Sequence, residues 1–156
     1  MQILSRSVQD TLKLGRKISR HLKRGDIICL FGELGSGKTV LTKGIVEGLG
    51  GERNKVISPS FVLIRRYVNK KLPLYHFDLY RLNSEKDIIG LGYEEYFYDE
   101  AVSVIEWADR LRHLLPKEYL KIKLRVLKGG KRGINVTHLG KRYEKIIKLL
   151  YADIRH

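Results

Sequence analysis

The sequence predicts an α/β fold: a mixed, mostly parallel central sheet carrying an antiparallel hairpin, with helices on both faces. Three observations predict it. The apolar run Ile27-Ile28-Cys29-Leu30-Phe31 passes through a glycine-rich turn into a segment of helical periodicity, as a strand feeds a helix in parallel α/β architecture. A second run, Ala101-Val102-Ser103-Val104-Ile105, is apolar almost throughout, as strands buried on both faces are. Residues 61–78 and 120–139 each break about turn residues in the manner of hairpins, which adds antiparallel neighbours to the sheet. A chain of 156 residues suits one domain with one substantial core, and residues 1–156 are read as that domain.

The elements follow in chain order. Ser7-Val8-Gln9-Asp10 opens a helix like a capping box; Val8, Leu12, Gly15, Ile18 and Leu22 form one face, and Lys23-Arg24-Gly25 close it. After the strand 27–31 and its turn, a helix carries Val40, Leu41, Ile45 and Leu49 until Gly50-Gly51 stop it. Beyond Ser58-Pro59, residues 61–68 read as a strand. Asn69-Lys70-Lys71 turns it into a second strand over 74–78, with Pro73 tolerable only at a strand's start or edge. This hairpin is expected next to the 27–31 strand. Ser84 opens a short helix, 93–98 is aromatic and acidic, and 107–115 is helical until Pro116. From 120 to 126 the chain alternates, with Leu120, Ile122, Leu124 and Val126 inward and Lys121, Lys123 and Arg125 outward. That pattern marks a half-exposed antiparallel strand, returned by Gly129-Gly130 as 134–139. A last helix over 141–154 puts Tyr143, Ile146, Ile147, Leu150 and Ile154 on one face.

The turn after the first strand, Gly32-Glu33-Leu34-Gly35-Ser36-Gly37-Lys38-Thr39, completes the pattern G-x-x-x-x-G-K-T between a strand and a helix, which defines a P-loop NTPase domain. Backbone N–H groups of such a loop wrap a β-phosphate and the helix dipole favours negative charge. Lys38 would reach the β/γ oxygens and the Thr39 hydroxyl would ligate Mg²⁺. The nucleotide-binding candidates are therefore Gly32, Gly35, Ser36, Gly37, Lys38, Thr39 and, in the first helical turn, Val40. A nucleoside triphosphate is the expected ligand.

Such a loop needs a carboxylate at the C-terminal end of a neighbouring strand, where an open sheet holds its ligand. Asp78 ends Leu74-Tyr75-His76-Phe77, and Glu106 ends Val102-Ser103-Val104-Ile105. Either could hold Mg²⁺, directly or through water, while the other orients or deprotonates the attacking water. Lys38, Asp78 and Glu106 are the catalytic candidates, and Thr39, Glu106 and Asp78 the metal candidates. In Ser58-Pro59-Ser60-Phe61, Pro59 pre-shapes a turn whose hydroxyls, Ser60 among them, could close over a γ-phosphate. Trp107 should lie beside the site, Arg81 could pair with a carboxylate or phosphate, and His76 reads as a strand-packing residue.

Net charge is +14. Residues 1–24 hold seven basic and one acidic side chain, 25–120 thirteen and fourteen, and 121–156 eleven and two. The nucleotide machinery is thus near neutral between two basic ends, which could attract RNA or an acidic protein. No apolar run approaches membrane-spanning length and no signal peptide is indicated, so neither a membrane nor export is expected. Cys29, the one cysteine, sits in the first strand; an intrachain disulfide is impossible, in keeping with a cytoplasmic protein.

Four segments, in order and at similar spacing, carry a family resemblance: the loop 32–39, Ser58-Pro59-Ser60-Phe61, Tyr75-His76-Phe77-Asp78-Leu79-Tyr80-Arg81 and Ile105-Glu106-Trp107. Together with Thr11-Leu12-Lys13-Leu14-Gly15, they resemble the TsaE (YjeE) family over about residues 7 to 145. The resemblance implies an ATPase, weak alone and partner-dependent, required for tRNA N6-threonylcarbamoyladenosine (t6A37) biosynthesis. It implies ATP and Mg²⁺ as cofactors and the TsaD–TsaB heterodimer as partner, reset by hydrolysis between turnovers, with tRNA met indirectly or weakly. It also implies that Glu106 is the metal-linked acid, Asp78 the Walker-B-type acid and 58–61 a nucleotide-sensing switch. Thr11 then lies near the adenine, and Arg132 in the turn 129–133 contacts nucleotide. Where the family usually reads S-P-T-F, this chain has Ser60, which keeps the hydroxyl and loses a methyl. Two other readings stand beside this one: a small-molecule kinase on the same scaffold, and a non-catalytic basic module that binds RNA.

Overall fold

Strand β2 (Ile27–Phe31) is apolar on both faces because it faces a core on each: Ile28 and Leu30 enter one, Ile27 and Cys29 the other. The computed structural model of the chain describes residues 1–59 and 61–156. Its seven strands lie in the order β1-β7-β6-β2-β5-β4-β3, with β1 (Gln2–Ser5), β3 (Ile64–Tyr67), β4 (Leu74–Asp78), β5 (Val102–Glu106), β6 (Tyr119–Val126) and β7 (Arg132–Leu139) around β2. β6, β2, β5 and β4 pair in parallel, and β7 and β3 run against the rest.

One face is covered by α1 (Val8–Ser19), α2 (Lys38–Gly48) and α5 (Lys141–Arg155), which contribute Ile18, Ile45 and Ile146 to a fully buried core with Leu120 and Val104. The other is covered by α3 (Glu85–Gly90), α4 (Tyr93–Phe97) and a 3₁₀ stretch (Ala108–Leu114), around Phe77, Ile88, Phe97 and Leu111. The α1 cap forms as its sequence indicates: Asp10 N–H donates to Ser7 Oγ at 3.1 Å, and Arg6 N–H to Asp10 Oδ2 at 2.8 Å. α1 and α2 touch backbone to backbone at Gly15 and Gly44, where a Cβ would collide with Leu41 O and Leu12 O respectively. That contact locks the helix behind the phosphate loop to the N-terminal helix.

The structure corrects several expectations. β1 was not anticipated; four residues are too short for alternation to show, and the strand exists by pairing with β7. The hairpin strand over 61–68 shrinks to Ile64–Tyr67, since Leu63 takes a left-handed φ of 70° that breaks extended backbone. Nor does the hairpin lie next to β2. β5 intervenes, as its fully buried residues require neighbours on both sides, while the hairpin with Pro73 takes the edge. β6 is antiparallel to β7 alone and parallel to β2. Val126 is 43% exposed because β2 ends at Phe31, opposite Lys123, leaving the tip of β6 uncovered on that side. Residues 108–114 are 3₁₀ with a break at Arg112 (φ 51°), and α1 stops at Ser19 although Leu22 is still buried. Ile154, at the end of α5, is 37% exposed.

Candidate functional site

The loop between β2 and α2 owes its shape to glycines that no other residue could replace. Gly32 has φ 154°, and a Cβ there would stand 2.5 Å from Leu124 O and 2.6 Å from Ser36 Oγ. Gly37 caps α2 in the left-handed region, with no side-chain cap and no acidic residue in the first helical turn. The first N–H groups of α2 are therefore left for an anion, with the positive end of the helix dipole behind them.

Lys38 is 5% exposed and folds back over the loop. Its ammonium donates to Gly32 O at 2.7 Å and Glu33 O at 2.9 Å, and lies 4.1 Å from the centre of the Trp107 ring. Burial pushes its pKa down, opposed by the charges of Glu106, Asp78, Asp109 and Glu33. From the far side, Arg132 on β7 donates Nε to Ser36 O and Nη2 to Gly35 O, both at 3.1 Å, tying down the two loop carbonyls.

Parallel pairing of β4 with β5 sets Asp78 directly opposite Glu106, both 2% exposed, at the C-terminal edge of the sheet. Thr39 Oγ1 lies 2.9 Å from Glu106 Oε1 and 3.2 Å from Oε2. His76 Nε2 lies 2.8 Å from the same Oε1; with the proton on that nitrogen, the fully buried Nδ1 has no partner among the described residues. Asp78 Oδ2 accepts from Ser58 Oγ at 2.5 Å and Oδ1 from Tyr80 N–H at 3.0 Å. Trp107 has φ 57°, and the Tyr80 ring packs against it at a tilt of 46°, with ring centres 4.9 Å apart. The left-handed Trp107 and Leu63 flank the two acids; bulky side chains there store of order 1–2 kcal/mol each, which the surrounding packing must offset. The Arg81 guanidinium stands 4.1 Å over the Phe61 ring, beside the same opening.

These groups line a cleft of about 500 Å³ between the phosphate loop, the ends of β4 and β5, and Arg132. A side cavity of about 60 Å³ continues past Gly37, Val40 and Arg132 to Ser7, Val8 and Thr11. Of the residues singled out from sequence, Gly35, Ser36, Gly37, Lys38, Thr39, Val40, Asp78, Glu106, Trp107 and Arg132 line the cleft, and Gly32 supports the loop from below. Thr11 lines the side cavity instead, its hydroxyl 2.7 Å from Ser5 Oγ. Ser60 lies outside the described residues. Sequence reasoning missed the contact of His76 with Glu106, although His76 shares a strand face with Asp78 two residues on. It assigned no site role to Tyr80, quoted only within the motif 75–81, to Gly130 in the turn 129–133, or to Val8 on the first helix. A hollow of about 700 Å³ at the opposite end of β2 holds the buried Asp26 paired with the partly exposed Arg142, but lies away from the strand ends where open sheets bind ligands.

A concave row of amides at a helix N-terminus with a buried lysine beside it fits a chain of phosphates. One hydroxyl and two carboxylates are hard oxygen donors, which fit a small divalent cation. Among the described residues no group of three or more His, Cys, Asp or Glu side chains could hold a metal. A magnesium ion here would complete its shell from phosphate and water, as it commonly does. No helix of the described residues is long and apolar enough to cross a membrane.

Known proteins resemble this chain in sequence and in fold. The family model described as "Threonylcarbamoyl adenosine biosynthesis protein TsaE" matches residues 5–134. The chain is 39% identical over 142 residues to the tRNA threonylcarbamoyladenosine biosynthesis protein TsaE of Bacillus subtilis, covering 91% of this chain and 88% of that one. It is 42% identical over 137 residues to TsaE of Treponema pallidum, covering 88% and 100%. The crystal structure of Bacillus subtilis YdiB superposes with a TM-score of 0.83 at 33% identity, over 98% of this chain and 95% of that one. A phosphate loop facing two paired strand-end acids, in a fold shared with these relatives along nearly its whole length, makes this chain a member of the TsaE family.

Proposed function

We propose that this chain, folded as a single domain, binds and hydrolyses ATP in the cleft, and that it does so for tRNA threonylcarbamoyladenosine biosynthesis. The observation that carries the reading is the juxtaposition of Lys38 and Thr39, at the head of α2, with Asp78 and Glu106 at neighbouring parallel strand ends. Lys38 and the first N–H groups of α2 bind the β- and γ-phosphates. Thr39 and Glu106 are the residues that would hold Mg²⁺, which would neutralise charge on the transferred phosphoryl group. Asp78, set by Ser58 and the Tyr80 N–H, orients the attacking water. Arg132 keeps the loop carbonyls turned away from the ligand. The side cavity by Thr11 and Val40 takes the base end of the nucleotide.

The Ser58 hydroxyl ties the segment before Phe61 to a residue that faces the γ-phosphate, which supports a nucleotide-sensing switch. Docking on TsaD–TsaB, governed by that switch, and resetting of the pair by hydrolysis follow as the reading of the whole. The test is phosphate release from ATP, with and without TsaD–TsaB. Activity that rises with the partner and is lost in Lys38→Ala supports the reading. Partner association indifferent to nucleotide, or multi-turnover tRNA modification sustained by Lys38→Ala, overturns it. A phosphorylated small acceptor formed in place of free phosphate would identify a kinase.

A further inference from the structure

The second helical layer covers only half of the sheet. It packs on β4, β5 and β2; of β1, β6 and β7, Tyr119 alone among the described residues enters its core. On that side β6 presents Lys121, Lys123 and Arg125, because Leu120, Ile122 and Leu124 point the other way into the first core. Register places Asn135 and Thr137 of β7 opposite Lys123 and Lys121, and Gln2 of β1 opposite Asn135. No residue of β1, β6 or β7 is acidic. The carboxylate at the rim is Glu33, which accepts from Val126 N–H at 3.3 Å. Lys123 and Arg125 are exposed and form no ion pair within the described residues, and Lys121 Nζ lies 5.0 Å from the centre of the Phe31 ring.

We propose that this open half-sheet is a binding face for the phosphodiester backbone of RNA. An ordinary basic exterior intersperses both signs of charge; this face carries one sign in a straight row. Alternate residues of a strand repeat every ~6.6 Å, so the three cations form a regular line suited to a linear polyanion. Beside the line, two amides and a hydroxyl both donate and accept, as sugar hydroxyls and base edges require. An acidic protein surface could also meet those groups and the exposed Leu4 and Leu127 nearby, so the even, single-sign spacing of the three cations is what favours a linear phosphodiester. The tip of β6 adjoins the phosphate loop through Leu124 O and Val126 N–H, so bound RNA would lie against the nucleotide site. RNA held by charge and sheet geometry on this face needs no nucleotide in the cleft.

The experiment is equilibrium binding of unmodified tRNA, without ATP, from about 50 to about 300 mM salt. The native chain should show log affinity falling against log salt with a slope of about −2 to −3, the value for three phosphates. Lys121→Gln/Lys123→Gln/Arg125→Gln should bind at least about tenfold more weakly at the lowest salt with a slope near zero. A triple change of equal charge at Lys13, Lys145 and Lys148 should keep the native slope. Lys123→Gln, exposed and single, should lose about one unit of slope even if the triple variant melts early. Equal losses in both triple variants would reduce the effect to diffuse net charge and overturn the assignment. Binding of polyglutamate through the same residues, with no tRNA bound, would overturn it in favour of an acidic protein partner.

Discussion

Thr39 Oγ1 approaches both carboxylate oxygens of Glu106, at 2.9 and 3.2 Å, and so joins the head of α2 to the end of β5. The Glu106→Gln substitution keeps the size and one accepting oxygen but removes the charge. ATP hydrolysis should fall by about two orders of magnitude, with nucleotide still bound, as steady-state phosphate release beside calorimetric titration will register.

His76 holds the other side of Glu106 Oε1 while fully buried. In His76→Leu the carboxylate loses one of its anchors but the core keeps a side chain of similar volume. The Mg²⁺ concentration for half-maximal hydrolysis should rise by about 10–100-fold. An unchanged magnesium dependence with reduced thermal stability would assign His76 to packing alone.

Arg132 grips Gly35 O and Ser36 O from β7. Charged hydrogen bonds of this kind contribute about 1.5–3 kcal/mol, so Arg132→Ala should raise KM for ATP by about tenfold or more with a smaller change in kcat. Initial rates over a range of ATP concentrations separate the two parameters.

Gly44 meets Leu12 at the crossing of α1 and α2, where no Cβ fits. Gly44→Ala should destabilise the fold by about 1–3 kcal/mol through overpacking, outweighing the gain in helix propensity. Urea denaturation measures it.

Burial pushes the Tyr143 phenol up to about 12, and its oxygen accepts from Ile27 N–H at 2.8 Å. An unfolded tyrosine ionises near 10, so between about 10 and about 12 the unfolded chain binds fewer protons and stability falls as pH rises; below that window this group contributes no slope. Tyr143→Phe should cost about 1–3 kcal/mol near neutral pH by leaving the Ile27 N–H unpaired. In the alkaline window it should flatten the decline by up to ~1.4 kcal/mol per pH unit. Denaturation series at neutral and alkaline pH give both quantities.

Residues 32–39 mark a candidate anion site without reference to anything else. The glycines, the lysine and the hydroxyl are contiguous, so local backbone geometry alone brings their groups to one point. The cap at Ser7, the buried strands 27–31 and 101–105 and the last helix were legible for the same reason, since each is written in a run of neighbouring side chains. The partnership of Asp78 with Glu106 is of another kind. Both acids could be found at strand ends, but their adjacency depends on β5 lying between β2 and β4. The contact of His76 with Glu106, the reach of Arg132 to the loop, the short β1 and the uncovered half of the sheet arise in the same way. Strands joined by helices can be ordered in several ways with equal local propensity. The order adopted here buries β5 on both faces and leaves the Pro73 hairpin at the edge, a choice made by burial summed over the whole sheet, which no short stretch of chain encodes.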